Sequence, residues 1–503
     1  MEPWLSPCLD AEEMRAVDAW AIEQRGVPSL ELMEAAGRAI ADAAEQLAGS
    51  RRAVVVCGKG NNGGDGLVAA RALAETGFEV ETLLLWPAEE LSNDAKANLE
   101  RVPGARHVGP DELARALGDA GVVVDAIFGT GFTGAARDPA IAAIAAVNAS
   151  GAPVVAADVA SGVDASNGEV EGTAVEADLT VGFHAPKLGH WIAPGKSHTG
   201  ELRVVPIGIP DGAPSAAGAG LIEPSVLSLL PSRGAGSTKF SSGQVVVVGA
   251  SRGLTGAVCL SASAAIRAGA GYATVAVPAE LEQVFEVKLT EVMSVGCASR
   301  EGRLRRAASE QVLKLAEGAA AVVLGPGIGR EDGTKDLVRD LAGRIEAPLL
   351  IDADGLNAHA GRLKRLRERE GATVLTPHEG ELGRLLELDS ERIKARRLAK
   401  AREAAEASGA IVVLKGDDTI VTDGERVAVN RGGAPALATA GTGDVLSGLA
   451  GAILARGVEP FAAACAAVIA HTRAGLAATE AIGAAESVIA GDIVDAIPVG
   501  LAP

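Results

Sequence analysis

Aromatic residues are scarce in this 503-residue chain: four Trp, one Tyr and seven Phe, about 2% of the whole. Its cores must therefore be assembled from Ala, Val, Leu and Ile, a composition that suits helices packed on sheets. Cysteine is also sparse. Cys8, Cys57, Cys259, Cys297 and Cys465 are odd in number, widely scattered and free of CxxC spacing, which excludes a disulfide framework and a zinc site and fits a reducing compartment. Net positive charge is missing altogether: the formal charge is −19, so most of the surface repels polyanions, and no nucleic-acid or membrane-surface partner is expected. The N-terminus, with Glu2, Asp10, Glu12 and Glu13, lacks a basic region leading into an apolar stretch. No uninterrupted apolar run of spanning length is evident later, and a cytoplasmic location is expected.

The length exceeds what one ordinary core fills, and two units are expected. The segment from Ile209 to Gly220, IPDGAPSAAGAG, has linker composition and marks the predicted boundary, with domains at 1–214 and 221–503. Before it the pattern predicts helices at Ala11 to Arg25, Ser29 to Leu47 and Leu67 to Thr76. Strands are predicted at Ala53 to Cys57, Glu79 to Leu85, Val122 to Ala126 and Val154 to Asp158. After it, strands are predicted at Gln244 to Gly249, Tyr272 to Val277, Ala320 to Gly325, Leu349 to Asp352, Ala372 to Thr376 and Ile411 to Lys415. Short unbroken apolar strands of this kind belong to parallel sheets covered on both faces. The fold class is α/β, in two domains. The Arg- and Glu-rich stretch Glu381 to Ser408 reads as a solvated helix face.

Chemistry gathers where strands end. VVVCGKGNNGGDG, from Val54 to Gly66, is a buried strand running into a glycine-rich turn and a helix, a place where backbone N–H groups favour phosphate. A tight turn alone would explain the glycines but not Asn61, Asn62 and Asp65. Asp125 in DAIFGTG, and Asp158 with Ser161 in DVASG, end two further strands, and in an open parallel sheet such ends converge on one crevice. In the second half, ATAGTGDVLSG, from Ala438 to Gly448, sets small residues before a helix and one carboxylate, Asp444, in its first turn. That arrangement is either an ordinary helix-capping acid or an anion hole with a base beside it. His378 in TPHEGE is either a structural histidine or a ligand contact.

NNGGDG, DAIFGTG and DVASG, with GFHAPKLGH and PGKSHTGELRVVPIGIP after them, resemble the NAD(P)H-hydrate epimerase family over Leu9 to Pro210. The resemblance implies a Rossmann-like αβα sandwich that interconverts the R and S epimers of hydrated NADH or NADPH. It implies that Asn61, Asn62, Gly63, Gly64 and Asp65, the loop Gly129, Thr130, Gly131, Phe132, Thr133, Gly134 and Ala135, and Asp158 hold the nucleotide. Asn62, Asp125 and Ser161 would ligate potassium, and Asp158 is the candidate for proton handling. The family's DxPSG reads Asp158-Val-Ala160-Ser161-Gly here, which removes a fixed φ but keeps both polar groups.

ATAGTGDVLSG resembles the ribokinase-like superfamily. Together with VVVVGASRGLTGAV, VLGPGIGR, IDADGLN, LTPHEGE and VLKGDDTIV it resembles the ADP-dependent NAD(P)H-hydrate dehydratases over Leu221 to Pro503. This implies that Ala257, Gly327, His378 and Asp444 contact the hydrated nucleotide, with Asp444 catalytic. Lys415, Gly416, Asp417, Asp418, Thr419 and Gly443 would hold ADP or ATP, with Mg2+ as a companion. Glu379 stands where the family often has Pro, and either aids a magnesium ion or faces water; Asp352 and Asp354 are structural or near the metal. The implied partners are small molecules, hydrated NADH or NADPH and ADP, in a homo-oligomer. The competing reading is a small-alcohol or vitamin-precursor kinase carrying a non-catalytic N-terminal binding module.

Overall fold

The computed structural model describes residues 2–214 and 217–502. Ser215 and Ala216 of the predicted linker lie outside the described residues, and its last two residues, Ala219 and Gly220, already belong to the strand Ala219–Ile222. The chain forms two compact units: Pro7–Gly220, and Glu2–Ser6 together with the chain from Leu221 on. Nothing in the sequence marks Glu2–Ser6 as part of the second unit. What places them there is Trp4, which is buried in that unit's core with its ring 6.1 Å from Phe461.

The first unit is built on seven parallel strands. From one edge they run Arg106–His107, Glu79–Leu84, Arg52–Cys57, Val122–Ala126, Val154–Ala157, Leu179–Phe183 and Glu201–Val205. Alternation along each strand divides the core in two. Val55, Cys57 and Val124 face helices Ser29–Leu47 and Asn61–Glu75; Val54, Val56 and Val123 face Pro110–Leu117 and Ala140–Asn148. The result is the expected three-layer sandwich.

One predicted feature is corrected here. The stretch NNGGDG is not a turn followed by a helix at Leu67 but the first turns of the helix Asn61–Glu75 itself. Its glycines serve close packing: a Cβ at Gly63 would stand 2.0 Å from the Gly58 carbonyl oxygen, and one at Gly66 2.5 Å from the Ala126 Cβ. Only a bare backbone lets the helix start so near the strand ends.

The second unit carries an eleven-stranded sheet. Its order is Leu5–Pro7, Ala219–Ile222, Val427–Val429, Ile420–Thr422, Ile411–Leu414, Thr373–Leu375, Leu349–Ile351, Ala321–Leu324, Gln244–Val248, Tyr272–Pro278 and Met293–Cys297. The run from Ile411–Leu414 to Met293–Cys297 is parallel, and the strands Ile411–Leu414, Ile420–Thr422 and Val427–Val429 pair antiparallel. Helices Thr255–Arg267, Thr442–Ala455, Pro460–Ile482 and Ala490–Gly500 pack on one face. Contrary to the sequence reading, Pro460–Ile482 is long and apolar enough to cross a membrane, but 83% of its most apolar stretch is buried inside the unit, as in a core helix. The predicted single solvated helix from Glu381 to Ser408 is also corrected. It breaks into Glu379–Leu386, Ser390–Ala395 and Arg397–Ser408, the first ended by Glu387 at φ 58°.

Candidate active sites

In the first unit the carboxyl ends of the central strands open into a cavity of about 680 Å³. Its wall contains Asn61, Asn62 and Asp65 from one helix start, Gly129 to Thr133 from the next loop, and Asp158 from a third strand end. Gly63, Gly64, Gly134 and Ala135 are not in the wall. Phe128 and Phe132, also lining it, stack with centroids 4.6 Å apart, an apolar slab beside polar groups.

Asp158 is the most constrained group in the cavity. Its backbone sits at φ 67°, a region rare for residues other than glycine and recurrent at functional sites. One carboxylate oxygen accepts from Lys187 Nζ at 2.5 Å and from the Phe183 N–H at 3.2 Å. The other accepts from the Thr130 N–H at 3.2 Å and from the Thr130 hydroxyl. Burial would raise its pKa, but the Lys187 ammonium and these hydrogen bonds hold it below the usual carboxylate value, so it is an anion at neutral pH. Lys187 is fully buried and also donates to the Phe183 carbonyl at 2.8 Å. His190 accepts the Lys187 N–H at Nδ1, 3.2 Å, which leaves Nε2 to donate to the Asp158 carbonyl at 2.8 Å. Burial, aided by Lys187, lowers its pKa to about 4 and keeps the ring neutral.

Behind the wall, Asp125 and Ser161 meet as the sequence motifs imply. Ser161 donates its hydroxyl to Asp125 at 2.6 Å and its N–H at 2.9 Å, and the Phe128 N–H donates to the Ser161 hydroxyl at 2.8 Å. Asn62 adjoins the same loop, its amide oxygen 2.8 Å from where a Cβ on Gly129 would lie. Among the described residues, no cationic side chain is bonded to fully buried Asp125, and burial pushes its pKa up to about 6 despite the Ser161 bonds. Asn62 Nδ2 is buried without a hydrogen-bond partner among the same residues.

Residues from two segments of this cavity escaped the sequence reading. Lys187 lay inside a quoted motif without a role. Met14, Arg15, Asp18 and Ile22 also line the cavity, from the segment Ala11–Ala19 and the π-helix Trp20–Gln24 that continues it. Asp10 caps this segment, accepting from the Glu13 N–H at 2.8 Å while Glu13 accepts from the Asp10 N–H at 2.8 Å. Met14, Asp18 and Ile22 are spaced four apart, so a carboxylate within an apolar helical face was the available signal.

In the second unit Gly441, at φ 93°, turns the chain into helix Thr442–Ala455, and Gly443 and Asp444 sit half-exposed in its first turn. Lys415 Nζ lies 3.5 Å from the position of a Cβ on Gly443 and bonds to buried Asp352 at 3.1 Å. Asp352 also accepts from Thr376 at 2.7 Å and Ser447 at 2.6 Å. Burial would lower the Lys415 pKa, but Asp352 and Glu381 raise it, so the ammonium is secure. Asp444 has its pKa pushed up to about 7 by burial and then by the negative charge of Asp352, with Lys415 opposing.

Gly327, at φ 60°, and Ala257 come together: a Cβ on Gly327 would lie 3.3 Å from that of Ala257. His378 caps helix Glu379–Leu386, its Nδ1 accepting from the Gly380 N–H at 3.0 Å. Asp418 is committed to buried Arg397 at 2.9 Å, and Glu379 pairs with the same guanidinium at 2.5 Å. Glu379 thus helps neutralise a cation beneath the Lys415–Thr419 loop. Asp354 is tied to Arg330 at 2.6 Å.

A doubly wound unit with a polar cavity at its strand ends, and a second α/β unit with an acid and a lysine at a helix N-terminus, define a two-site enzyme of phosphorylated ligands. Residues 245–499 match the family model described as NAD(P)H-hydrate dehydratase, and residues 29–189 that described as YjeF-related protein N-terminus. The chain is 38% identical to the bifunctional NAD(P)H-hydrate repair enzyme of Moorella thermoacetica, over 97% of this chain and 95% of the relative. It is 37% identical to that of Salinibacter ruber, over 98% and 95%. A solved ADP/ATP-dependent NAD(P)H-hydrate dehydratase from Bacillus subtilis is similar at 26% identity, covering 55% of this chain and 94% of that one, with a TM-score of 0.47. The chain belongs to the bifunctional NAD(P)H-hydrate repair enzymes. Full-length likeness to two-activity relatives favours this over a vitamin-precursor kinase with a passive N-terminal module.

Proposed function

We propose that the first unit interconverts the R and S forms of hydrated NADH or NADPH, and that the second returns the S form to the reduced cofactor at the expense of ADP or ATP. The observation that carries this reading is Asp444, in the first turn of a helix beside Lys415, with its pKa pushed up to about 7. A base in that range is matched to taking a hydroxyl proton near neutral pH. Hydroxide is a poor leaving group, so the substrate hydroxyl must first be activated. Asp444 takes its proton as the oxygen attacks the terminal phosphoryl group, whose bond to the nucleotide breaks. Lys415, Gly443 and the helix N-terminus hold the phosphates. Expulsion of phosphate, with its C–O electron pair, and loss of a proton from the neighbouring carbon then restore the ring double bond.

In the first unit Asn61, Asn62, Asp65 and the loop Gly129 to Thr133 hold the dinucleotide, and ionised Asp158 faces the ring. The residues present fit potassium: Asn62, Asp125 and Ser161 would supply oxygen ligands, and fully buried Asp125 lacks a cationic partner among the described residues. The ion would supply that missing positive charge. For magnesium, no group of three or more His, Cys, Asp or Glu converges among the described residues, so it would come with the nucleotide phosphates. The test is to supply the S form with ADP or ATP and follow the return of reduced-nicotinamide absorbance, then to add the R form. Absorbance that returns with neither nucleotide present would rule the reading out.

A further inference from the structure

Beside Asp94, three carboxylates line the epimerase cavity: Asp65 and Asp158, which the sequence motifs bring there, and Asp18, from a segment that no motif covers. The three come from different walls: Asp18 from Ala11–Ala19, Asp65 from Asn61–Glu75, and Asp158 from the end of Val154–Ala157. They differ sharply in what they touch. Asp158 is bonded on both oxygens and paired with Lys187. Neither Asp18 nor Asp65 has a hydrogen-bond partner for its carboxylate among the described residues, and Asp65 is 9% exposed. Both carboxyl groups are free to bond to what enters the cavity.

Their charge states divide in the same way. Burial first, and then the negative charge of Asp158, pushes the Asp18 pKa up to about 6. The same causes, in the same order, raise Asp65. Asp158 is instead held ionised, which makes it a weak base and moves proton handling away from it. Carboxyl groups driven apart in this manner mark acid and base against fixed anion.

Taking the epimerase reading as given, we infer that Asp18 is a catalytic residue of the first unit, acting with Asp65 as the acid–base pair that removes and restores the substrate hydroxyl while Asp158 stabilises positive charge on the ring. Water adds to a dihydropyridine at the carbon beside the ring nitrogen, so the hydroxyl carbon is bonded to nitrogen. Asp65, the more strongly raised of the two, gives its proton to the hydroxyl as the C–O bond breaks. The bonding pair leaves with oxygen as water, and the nitrogen lone pair closes a C=N bond. The ring is then cationic, and the Asp158 anion lies in the same cavity. A water molecule adds to the opposite face, the C=N pair returns to nitrogen, and the proton this water sheds goes to Asp18. After release, Asp18 gives one proton to solvent and Asp65 takes one back. In the reverse direction the two exchange roles.

The test uses the full chain and the purified R form without nucleotide, with S-form appearance as the readout. Asp18→Asn is expected to lower kcat for epimerisation by about 10²- to 10⁴-fold, the usual worth of a positioned acid or base. KM should stay within about threefold, because the loss falls on the transition state. Dehydration of the S form with ADP should be unchanged. Asp18→Glu, which keeps the carboxyl, should recover about a tenth of kcat or more. In water labelled with heavy oxygen, each wild-type epimerisation should install one solvent oxygen. A wild-type kcat in Asp18→Asn, a loss confined to KM, an Asp18→Glu variant as slow as Asp18→Asn, or retention of the original oxygen would overturn the proposal. Should Asp18→Asn fail to fold, Asp18→Glu and the labelled oxygen decide it. A wild-type protein inert toward the R form would overturn the epimerase reading itself, a result distinct from an active wild type with an active Asp18→Asn.

Discussion

Lys187 Nζ lies 2.5 Å from Asp158 Oδ1, with the ammonium fully buried and the carboxylate nearly so. A buried pair of this kind is costly to break because the remaining charge stands alone. Lys187→Met is therefore expected to destabilise the first unit by about 3–5 kcal/mol. It should also raise the Asp158 pKa and slow epimerisation, leaving dehydration of the S form intact. Thermal unfolding and the two separate assays check it. The sign with pH is definite: Asp158 is held below its ordinary pKa, so its stabilising contribution is present above the ordinary carboxylate value and is lost as pH falls through the lowered one. Lys187→Met should lose that acid limb.

Asp444→Asn should lower dehydration by about 10²- to 10⁴-fold and spare epimerisation. In the wild type, kcat/KM for dehydration should climb with pH up to about 7, where Asp444 becomes ionised, and then level. Stability runs the other way. The pKa of Asp444 is raised in the fold, so it favours the folded state at low pH, and that advantage is lost as pH rises through about 7. Asp444→Asn should accordingly raise Tm at pH 8 relative to wild type and change it little at pH 4. Equal loss of both activities would contradict the separation of the sites.

Arg397 joins Asp418 and Glu379 beneath the loop that carries Lys415. Arg397→Ala removes the buried guanidinium that Asp418 and Glu379 share and is expected to cost about 3–5 kcal/mol, with a raised KM for ADP as the Lys415–Thr419 loop loosens. Glu379→Gln, at a partly exposed position, should cost less than about 1 kcal/mol. Denaturant titration of both variants orders them; the reverse order would contradict the assignment of Arg397 as the keystone.

Replacing potassium by a bulky organic cation at constant ionic strength should slow epimerisation and leave dehydration unchanged, because Asp125 would lose the only countercharge proposed for it. Asp125→Asn, which removes the buried carboxylate, should abolish that dependence. A rate indifferent to the cation in the wild type would remove potassium from the account.

Much of the fold was legible from period alone. Apolar runs such as Ala321–Leu324 sit where predicted because a strand covered on both faces favours unbroken apolar residues. The helix starting at Asn61 was misjudged because six residues rich in Gly and Asn resemble a turn, whereas here the glycines make room for Gly58 and Ala126. Glu381 to Ser408 was misjudged because Arg and Glu look solvated in sequence, and only tertiary packing buries Arg397 between two carboxylates.

The order of residues along the chain was enough to determine two α/β units, the strand ends where polar groups gather, and the family, because short motifs and hydrophobic period are local properties. Which carboxylates meet, and in what charge state, was decided only by the fold. Asp18 and Asp158 are 140 positions apart along the chain yet line one cavity; burial and the Asp158 charge raise the pKa of Asp18 and Asp65, whereas the hydrogen-bonded Lys187 ammonium holds Asp158 ionised. Electrostatic environment depends on distance and burial, and neither is written in a linear order of residues.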